Sequence, residues 1–255
     1  MSSYGLWLSA AGMKINEHRQ TLHANNLANS QTTGFKRDLA VVMQRRIEAQ
    51  ENVDGFSFAH PVLDGLSGGV NVQPSYHDFT QGPIESTGRP LDIAIRGDGF
   101  FSVSDGQATR YTRDGEFTVN TAGELVLANE SGVWRVLNQA GAPVVIDPVA
   151  GEPTVSGNGT IRQGENVVAE LGLVTPDDPQ TLRKVGENLY ESPGGEMRPA
   201  GGTLVSGSRE ESNFNAIEGL ASMIEASRAY QLNATLIQLQ DKMTGQAVST
   251  LGRVA

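Results

Sequence analysis

Four aspartates, Asp92, Asp98, Asp105 and Asp114, fall close together in the chain. Two carboxylates facing each other across a cleft are what glycoside hydrolysis requires. Three of the four adjoin glycine, however, in Asp98-Gly99, Asp105-Gly106 and Asp114-Gly115, the setting of a turn-forming aspartate. Gly97-Asp98-Gly99 opens like a dinucleotide loop, but the third glycine is missing and no helix pattern follows. The histidines His18, His23, His60 and His77 lack the spacing of a zinc-binding helix. His18 and His23 stand five apart and face different sides of a helix. The 255 residues include 0 cysteines, which excludes thiolate catalysis, disulfides and thiolate-held metals. No catalytic set, metal site or cofactor is expected, and the chain does not read as an enzyme.

Asparagines carry more information than the acids. His23 to Lys36 reads His-Ala-Asn-Asn-Leu-Ala-Asn-Ser-Gln-Thr-Thr-Gly-Phe-Lys. Asn is a mediocre helix former because its amide competes for backbone hydrogen bonds. On a helix, Asn25 and Asn29 lie one turn apart with Asn26 beside them. Two readings stand: the amides bond across a helix-helix interface and fix its register, or a helix end frays into an Asn/Thr-rich turn. Gly34 allows a sharp exit at positive φ.

The elements around this stretch divide the chain into four parts. Residues 1–31 form an amino-terminal helix capped by Ser2 or Ser3, with Leu8, Ala11, Ile15, His18, Leu22, Asn25 and Asn29 at spacings of three and four. Residues 32–90 are rich in Gly, Ser and Pro and read as an extended connection, with one possible hairpin around Val70 to Glu85. Residues 91–205 are β-rich. Gly106, Gly115, Gly123, Gly132 and Gly141 recur every eight or nine residues, and Asp105-Gly106 and Asp114-Gly115 are hairpin-turn dipeptides. A meander of antiparallel strands is expected, with a second set after Thr160. Residues 206–255 hold a long helix from about Asn213 to Leu251, in which Met223, Tyr230, Ile237, Thr244 and Leu251 repeat every seven. Gly219, Ala226, Asn233, Gln240 and Ala247 form the neighbouring seam position. That seam is too polar and small for a stable two-stranded coiled coil on its own. The fold class is therefore mainly β, an antiparallel β domain with long, coiled-coil-like amino- and carboxy-terminal helices that want partners.

Composition narrows the partners. A net charge of −10 argues against nucleic acid or anionic lipid. The apolar run Leu6-Trp7-Leu8 is too short for a signal peptide or a membrane span.

Several blocks resemble the bacterial flagellar rod and hook axial proteins. They are the Asn-rich stretch with Thr32-Thr33-Gly34-Phe35-Lys36, then Leu91 to Phe101 (Leu-Asp-Ile-Ala-Ile-Arg-Gly-Asp-Gly-Phe-Phe), Tyr111 to Phe117, Gly186 to Tyr190, and Ser212-Asn213 with Met223-Ile224-Glu225 and Arg228 to Asn233. The length is similar to rod proteins that retain one β domain. Thr87-Gly88-Arg89-Pro90 is most similar to the proximal rod type, with the distal type next. Ser208-Arg209-Glu210-Glu211 departs from the family pattern, and the tail from Gln246 to Ala255 fits neither type. The resemblance implies a structural subunit of the basal-body rod that assembles through its terminal helices into a torque-transmitting helical tube. Its implied partners are copies of itself, other rod and hook axial proteins, and the flagellar type III export apparatus, with no nucleic acid and no membrane insertion. It also implies a rod location across the periplasm, reached without a cleaved signal peptide. The expected assembly interface comprises Leu8, Ile15, Leu22, Asn25, Asn26, Leu27, Asn29, Gly34 and Phe35 at one end. At the other it comprises Met223, Tyr230, Asn233, Ile237 and Leu251. The rival classes are a secreted carbohydrate-binding β domain and a peptidoglycan hydrolase; the first lacks a grouped aromatic platform, since Tyr76, Tyr111, Trp134 and Tyr190 are scattered.

Overall fold

The computed structural model describes residues 3–44, 69–129 and 133–251. Expectations that fall on His60 and Gly132 lie outside the described residues, as does the side chain of Leu251. The chain forms two compact units: Met1–Ala28 with Asp38–Tyr76 and Ala216–Ala255, and Asn29–Arg37 with His77–Asn215.

The first unit is built on two helices, α1 (Ser3–Ala28) and α2 (Ala216–Leu251). Neither contains proline. Short strands β1 (Asp38–Leu39), β2 (Val42–Gln44), β3 (Val70–Val72) and β4 (Tyr76–His77) follow α1 in the chain, and β2 pairs with β3 in antiparallel register, Val42 opposite Val72. The helices pack along one another. A Cβ on Gly5 would lie 3.0 Å from the Gln240 amide, and one on Gly12 would lie 2.9 Å from that of Asn233. Both steps are seven residues, in opposite senses, so the pair is antiparallel with a seven-residue period.

The second unit is almost entirely β. Its strands are β5 (Ile84–Ser86), β6 (Ile93–Arg96), β7 (Phe100–Ser104), β8 (Thr109–Thr112), β9 (Phe117–Val119), β10 (Leu125–Leu127) and β11 (Arg135–Val136). They continue with β12 (Pro153–Val155), β13 (Thr160–Gln163), β14 (Asn166–Glu170), β15 (Leu173–Pro176), β16 (Arg183–Gly186), β17 (Leu189–Glu191), β18 (Met197–Pro199), β19 (Thr203–Ser206) and β20 (Ser208–Glu210). The main sheet runs β16-β17-β8-β7-β11-β10-β9, with β15 sharing the β11 edge of β7 and carrying β18. A three-stranded sheet, β12-β13-β14, stands beside two pairs, β19-β6 and β20-β5. All pairings within these sheets are antiparallel.

Strand β7 shows why apolar runs replace clean alternation here. Phe101 and Val103 enter the main core with Ile93, Ile95, Leu125 and Leu127. Phe100 points the other way, into a second cluster with Leu182 and Tyr190. Both faces are covered, so both are apolar.

The fold is mainly β with two long terminal helices and antiparallel sheets, as expected. Three local expectations are corrected. No hairpin joins Val70 to Glu85: β3 pairs with β2 and β5 with β20, so both partners are distant in sequence. The meander is interrupted, because β8 pairs with β17 rather than β9. Gly115 is not a positive-φ turn residue. A Cβ there would meet the Ile93 carbonyl oxygen at 1.9 Å, so glycine is required by the close approach of β6, whose Ile93 N–H donates to the Gly115 carbonyl at 2.9 Å. Strands also continue past residue 205, through Glu210.

Candidate assembly site

Within the first unit, the face that α1 turns to α2 is small and polar. Ser9, Asn16 and Asn26 are buried, as is Ala226 of α2, and Gly12 and Asn233 meet across the seam. The residues expected to make this stripe are covered to different degrees. Ile15 is buried and Leu22 and Leu27 are half-buried, but Leu8 and Asn25 are exposed. Met223, Tyr230, Asn233 and Ile237 are half-buried. On α1 the buried polar residues fall one position after the apolar ones chosen from spacing, whereas on α2 the seam is the expected one, with Ala226, Asn233 and Gln240. Gly5 and Gly12 let the backbones approach, and that closeness is available only on the small face.

Asn26 is 1% exposed and its amide is spent inside its own chain. The Asp38 N–H donates to its Oδ1 at 2.9 Å, and its Nδ2 donates to the Asp38 carbonyl at 2.8 Å. The side chain thus mimics a strand partner and fixes the return of the chain after the turn. Each end of the Asn26 amide thus has a partner within its own chain. Asn29 marks the helix end: its carbonyl accepts the Thr32 N–H at 3.2 Å and its Oδ1 accepts the Thr32 hydroxyl at 3.3 Å.

Within the second unit, the residues just after Asn29 and those just before Asn215 are clamped together. Gly34 N–H donates to the Glu210 carbonyl at 2.7 Å, and Asn213 N–H to the Phe35 carbonyl at 3.3 Å. Asn213 Oδ1 accepts the Arg37 N–H at 2.9 Å, while its Nδ2 donates to the Asp78 carbonyl at 2.8 Å. Gly34 has φ +68°, and a Cβ there would lie 2.5 Å from the Arg113 carbonyl carbon. Both conformation and space demand glycine. Phe35 is buried under the Lys184 ammonium, 4.4 Å from its ring centroid.

An ion cluster closes the clamp. Lys36 and Glu210 side chains are 0% and 0% exposed and meet at 2.6 Å. The ammonium also donates to the Thr80 carbonyl at 2.7 Å. Glu210 Oε1 accepts the Gly82 N–H at 2.9 Å, and its Oε2 faces Arg113 at 3.4 Å. Burial pulls the Lys36 pKa below its ordinary value, against the opposing pull of Glu210. Asn188, held at φ 56°, donates to the Thr33 carbonyl at 2.7 Å. The Thr-Thr-Gly-Phe-Lys, Tyr111-to-Phe117, Gly186-to-Tyr190 and Ser-Asn blocks therefore converge on one locus. Sequence reasoning found Gly34 and Phe35 but missed Lys36, Glu210, Arg113 and Asn213.

Three of the four acids that suggested hydrolysis, Asp92, Asp105 and Asp114, have structural roles. Asp105 Oδ1 accepts the N–H groups of Gln107 and Ala108, each at 2.8 Å, and these bonds hold its carboxyl below the usual range. Asp92 is buried against Arg89, whose Nε donates to it at 2.9 Å. Asp114 accepts the Glu116 N–H at 3.0 Å, and burial pushes its pKa up to about 7. Gly97 and Gly99 turn the chain from β6 to β7, not into a helix. Among the described residues no group of three or more histidines or carboxylates is placed to hold a metal ion, and no helix is long and apolar enough to cross a membrane.

The second unit is β-rich with its two chain ends clamped side by side, and the first carries a long helical pair formed from both termini. Residues 94–163 match the flagellar hook protein FlgE/F/G D1 domain family, and residues 205–250 match the flagellar basal body rod FlgEFG protein C-terminal family. The chain is 36% identical over 233 residues to the flagellar basal-body rod protein FlgF of Caulobacter vibrioides, covering 91% of each. It is 32% identical over 258 residues to FlgG of Buchnera aphidicola subsp. Baizongia pistaciae, covering 93% of this chain and 96% of that one. FlgG of Bacillus subtilis is 29% identical over 263 residues, covering 96% and 97%. The chain belongs to the flagellar basal-body rod protein family.

Proposed function

We propose that this chain is a structural, non-enzymatic subunit of the flagellar rod that assembles through its terminal helices. One observation carries the reading: α2 spends its small, polar face on α1 and leaves Leu232, Leu236, Leu239 and Met243 in water. Large apolar side chains along one helix are worth roughly 25 cal/mol per Å² once covered, so neighbouring axial subunits are the natural cover. The half-buried Met223, Tyr230 and Ile237, the neighbouring Leu251, and Leu8, Ile15, Leu22 and Leu27 of α1 belong to this helical layer, with α1 and α2 paired in coiled-coil fashion. Its contacts are heterologous and non-closing, which builds a tube. Packed layers of such helices transmit torque, and the β unit sets lateral spacing. The subunit works with other rod and hook proteins and passes through the type III export apparatus without a cleaved signal. The proximal rod is favoured over the distal rod on the Thr87-to-Pro90 lead-in.

Removal of residues 237–255 tests this. The truncated chain should be exported but absent from purified basal bodies of a null strain. Complete rods carrying it would overturn the reading. Gold labelling along isolated rods distinguishes proximal from distal.

A further inference from the structure

Between the main sheet, the three-stranded sheet and the β19-β6 pair, the second unit holds a cavity of about 380 Å³. Small-molecule sites span roughly 300–1,000 Å³. The floor is aliphatic, with Leu171, Leu173 and Leu204 all buried. The polar lining comes from three separate connections: Gln139 after β11, Asn158 between β12 and β13, and Gly202 between β18 and β19. These groups are not spent inside the chain. Among the described residues the Gln139 side-chain amide has no partner, nor does Asn158 Nδ2, whose Oδ1 accepts the Thr160 N–H at 3.2 Å. Leu204 donates its N–H to the Gly157 carbonyl at 2.9 Å, but neither backbone group of Gly202 has a partner among the described residues. No lining residue is charged, in a chain with a net charge of −10.

We propose that this cavity binds a small neutral molecule with an N-acetyl group on a hydroxylated ring, an N-acetylated amino sugar. The chemistry follows from the lining. A charged ligand would be desolvated there with no opposite charge to meet it. A wholly apolar ligand would cover Gln139, Asn158 and the Gly202 backbone and leave their polar groups unpaired. A side-chain amide offers a donor and an acceptor together, the complement of another amide or of a hydroxyl. The acetyl methyl suits the leucine floor, the amide beside it suits one of the polar groups, and ring hydroxyls suit the others. An extended peptide presents its polar groups along two opposite edges, whereas the lining supplies them from three connections. Scattered aromatics exclude a stacking platform on the surface, not a pocket of this kind. The inference goes beyond the rod reading and does not depend on it.

The test uses the purified full-length chain and saturation-transfer NMR, which reads ligand protons and works whether or not the protein assembles. The probes are N-acetylglucosamine, glucose and N-acetylalanine methylamide. Saturation should reach the acetyl methyl of N-acetylglucosamine most strongly, with about millimolar affinity, and glucose should receive little. Gly157→Leu should abolish the signal by filling the cavity. Glycine is not required at that position: its φ is not positive, and a Cβ would meet only the Leu204 carbonyl oxygen, at 3.5 Å. Gln139→Ala removes an exposed side chain and should weaken binding about three- to tenfold, the worth of one hydrogen bond. Circular dichroism melts check that both variants keep the β unit folded. No saturation of N-acetylglucosamine, equal saturation of glucose, equal binding of N-acetylalanine methylamide, or binding unchanged in both variants overturns the proposal. Basal-body fractionation decides the rod reading separately, so the two can fail independently.

Discussion

Replacing Glu210 by alanine should nearly unfold the β unit. The carboxylate answers three donors: the Lys36 ammonium at 2.6 Å, the Gly82 N–H at 2.9 Å and the Arg113 guanidinium at 3.4 Å. Lys36 is fully buried, so bulk solvent does not replace the lost partner. Breaking one side of a buried pair costs about 3–5 kcal/mol, and an unpaired buried N–H adds about 1–3 kcal/mol. A domain has only about 5–15 kcal/mol to lose. For a unit of this size the melting temperature should fall by at least about 6–20 °C. Trp134 lies against the β core and Trp7 in the helical unit, so Trp134 fluorescence in a Trp7→Phe background reports the β unit alone. Removing the Lys36 charge as well, with Lys36→Met and Glu210→Leu, should recover the share of the loss due to the unpaired ammonium but not that of the Gly82 N–H and the Arg113 guanidinium, which still lack the carboxylate. The alkaline arm is informative. Lys36 titrates below its ordinary 10.5 in the folded chain, so the unfolded chain binds more protons between the two pKa values and stability rises with pH there. Losing Glu210 lowers that pKa further, so the deficit of Glu210→Ala should narrow as pH rises toward 10.5. A loss under about 1 kcal/mol, or single and double variants that simply add, would refute the reasoning.

Other consequences follow from the same geometry. Asp114 has its pKa raised from 3.8 to about 7, so its contribution is full below 3.8 and is lost as pH rises through about 7. Denaturant melts of Asp114→Asn should remove that decline; an unchanged pH profile would show that another group causes it. Gly115→Ala should destabilise the β unit by about 3 kcal/mol, although its backbone conformation suits alanine, because the added Cβ meets the Ile93 carbonyl at 1.9 Å. Wild-type melting would mean that β6 moves aside easily. Asn26→Leu should leave the Trp134 transition unchanged while exchange of the Asp38 amide accelerates about tenfold for each 1.4 kcal/mol lost. Unaltered exchange at Asp38 would show that the Asn26 amide does not hold that strand.

The parts of this fold that were legible in the sequence are those fixed locally. Glycine-marked turns and long repeats gave an antiparallel β unit between two helices, because turn chemistry and helix period depend on neighbours in the chain. Partners at long separation left no comparable mark. Lys36 and Glu210 are 174 residues apart, and a buried charge reads like any surface charge until its partner is known. The nearest clue was Gly34-Phe35-Lys36, where a lysine follows two residues suited to a tight, covered path. Asn26 was conspicuous, but nothing in its neighbourhood named Asp38 as the recipient of both its bonds. The displaced seam of α1 is the most instructive difference. Apolar spacing selects the face with most to gain by burial, and that is the right choice when one partner is available. Here the intrachain partner occupies the small face with Gly5, Ser9, Gly12 and Asn16, which the backbones can approach closely. The apolar faces remain exposed, and an aliphatic row kept in water by the chain's own packing is a reservoir of association energy. Had α1 covered Leu236 and Leu239, the monomer would be more stable and the helical pair would have little left with which to bind a neighbour.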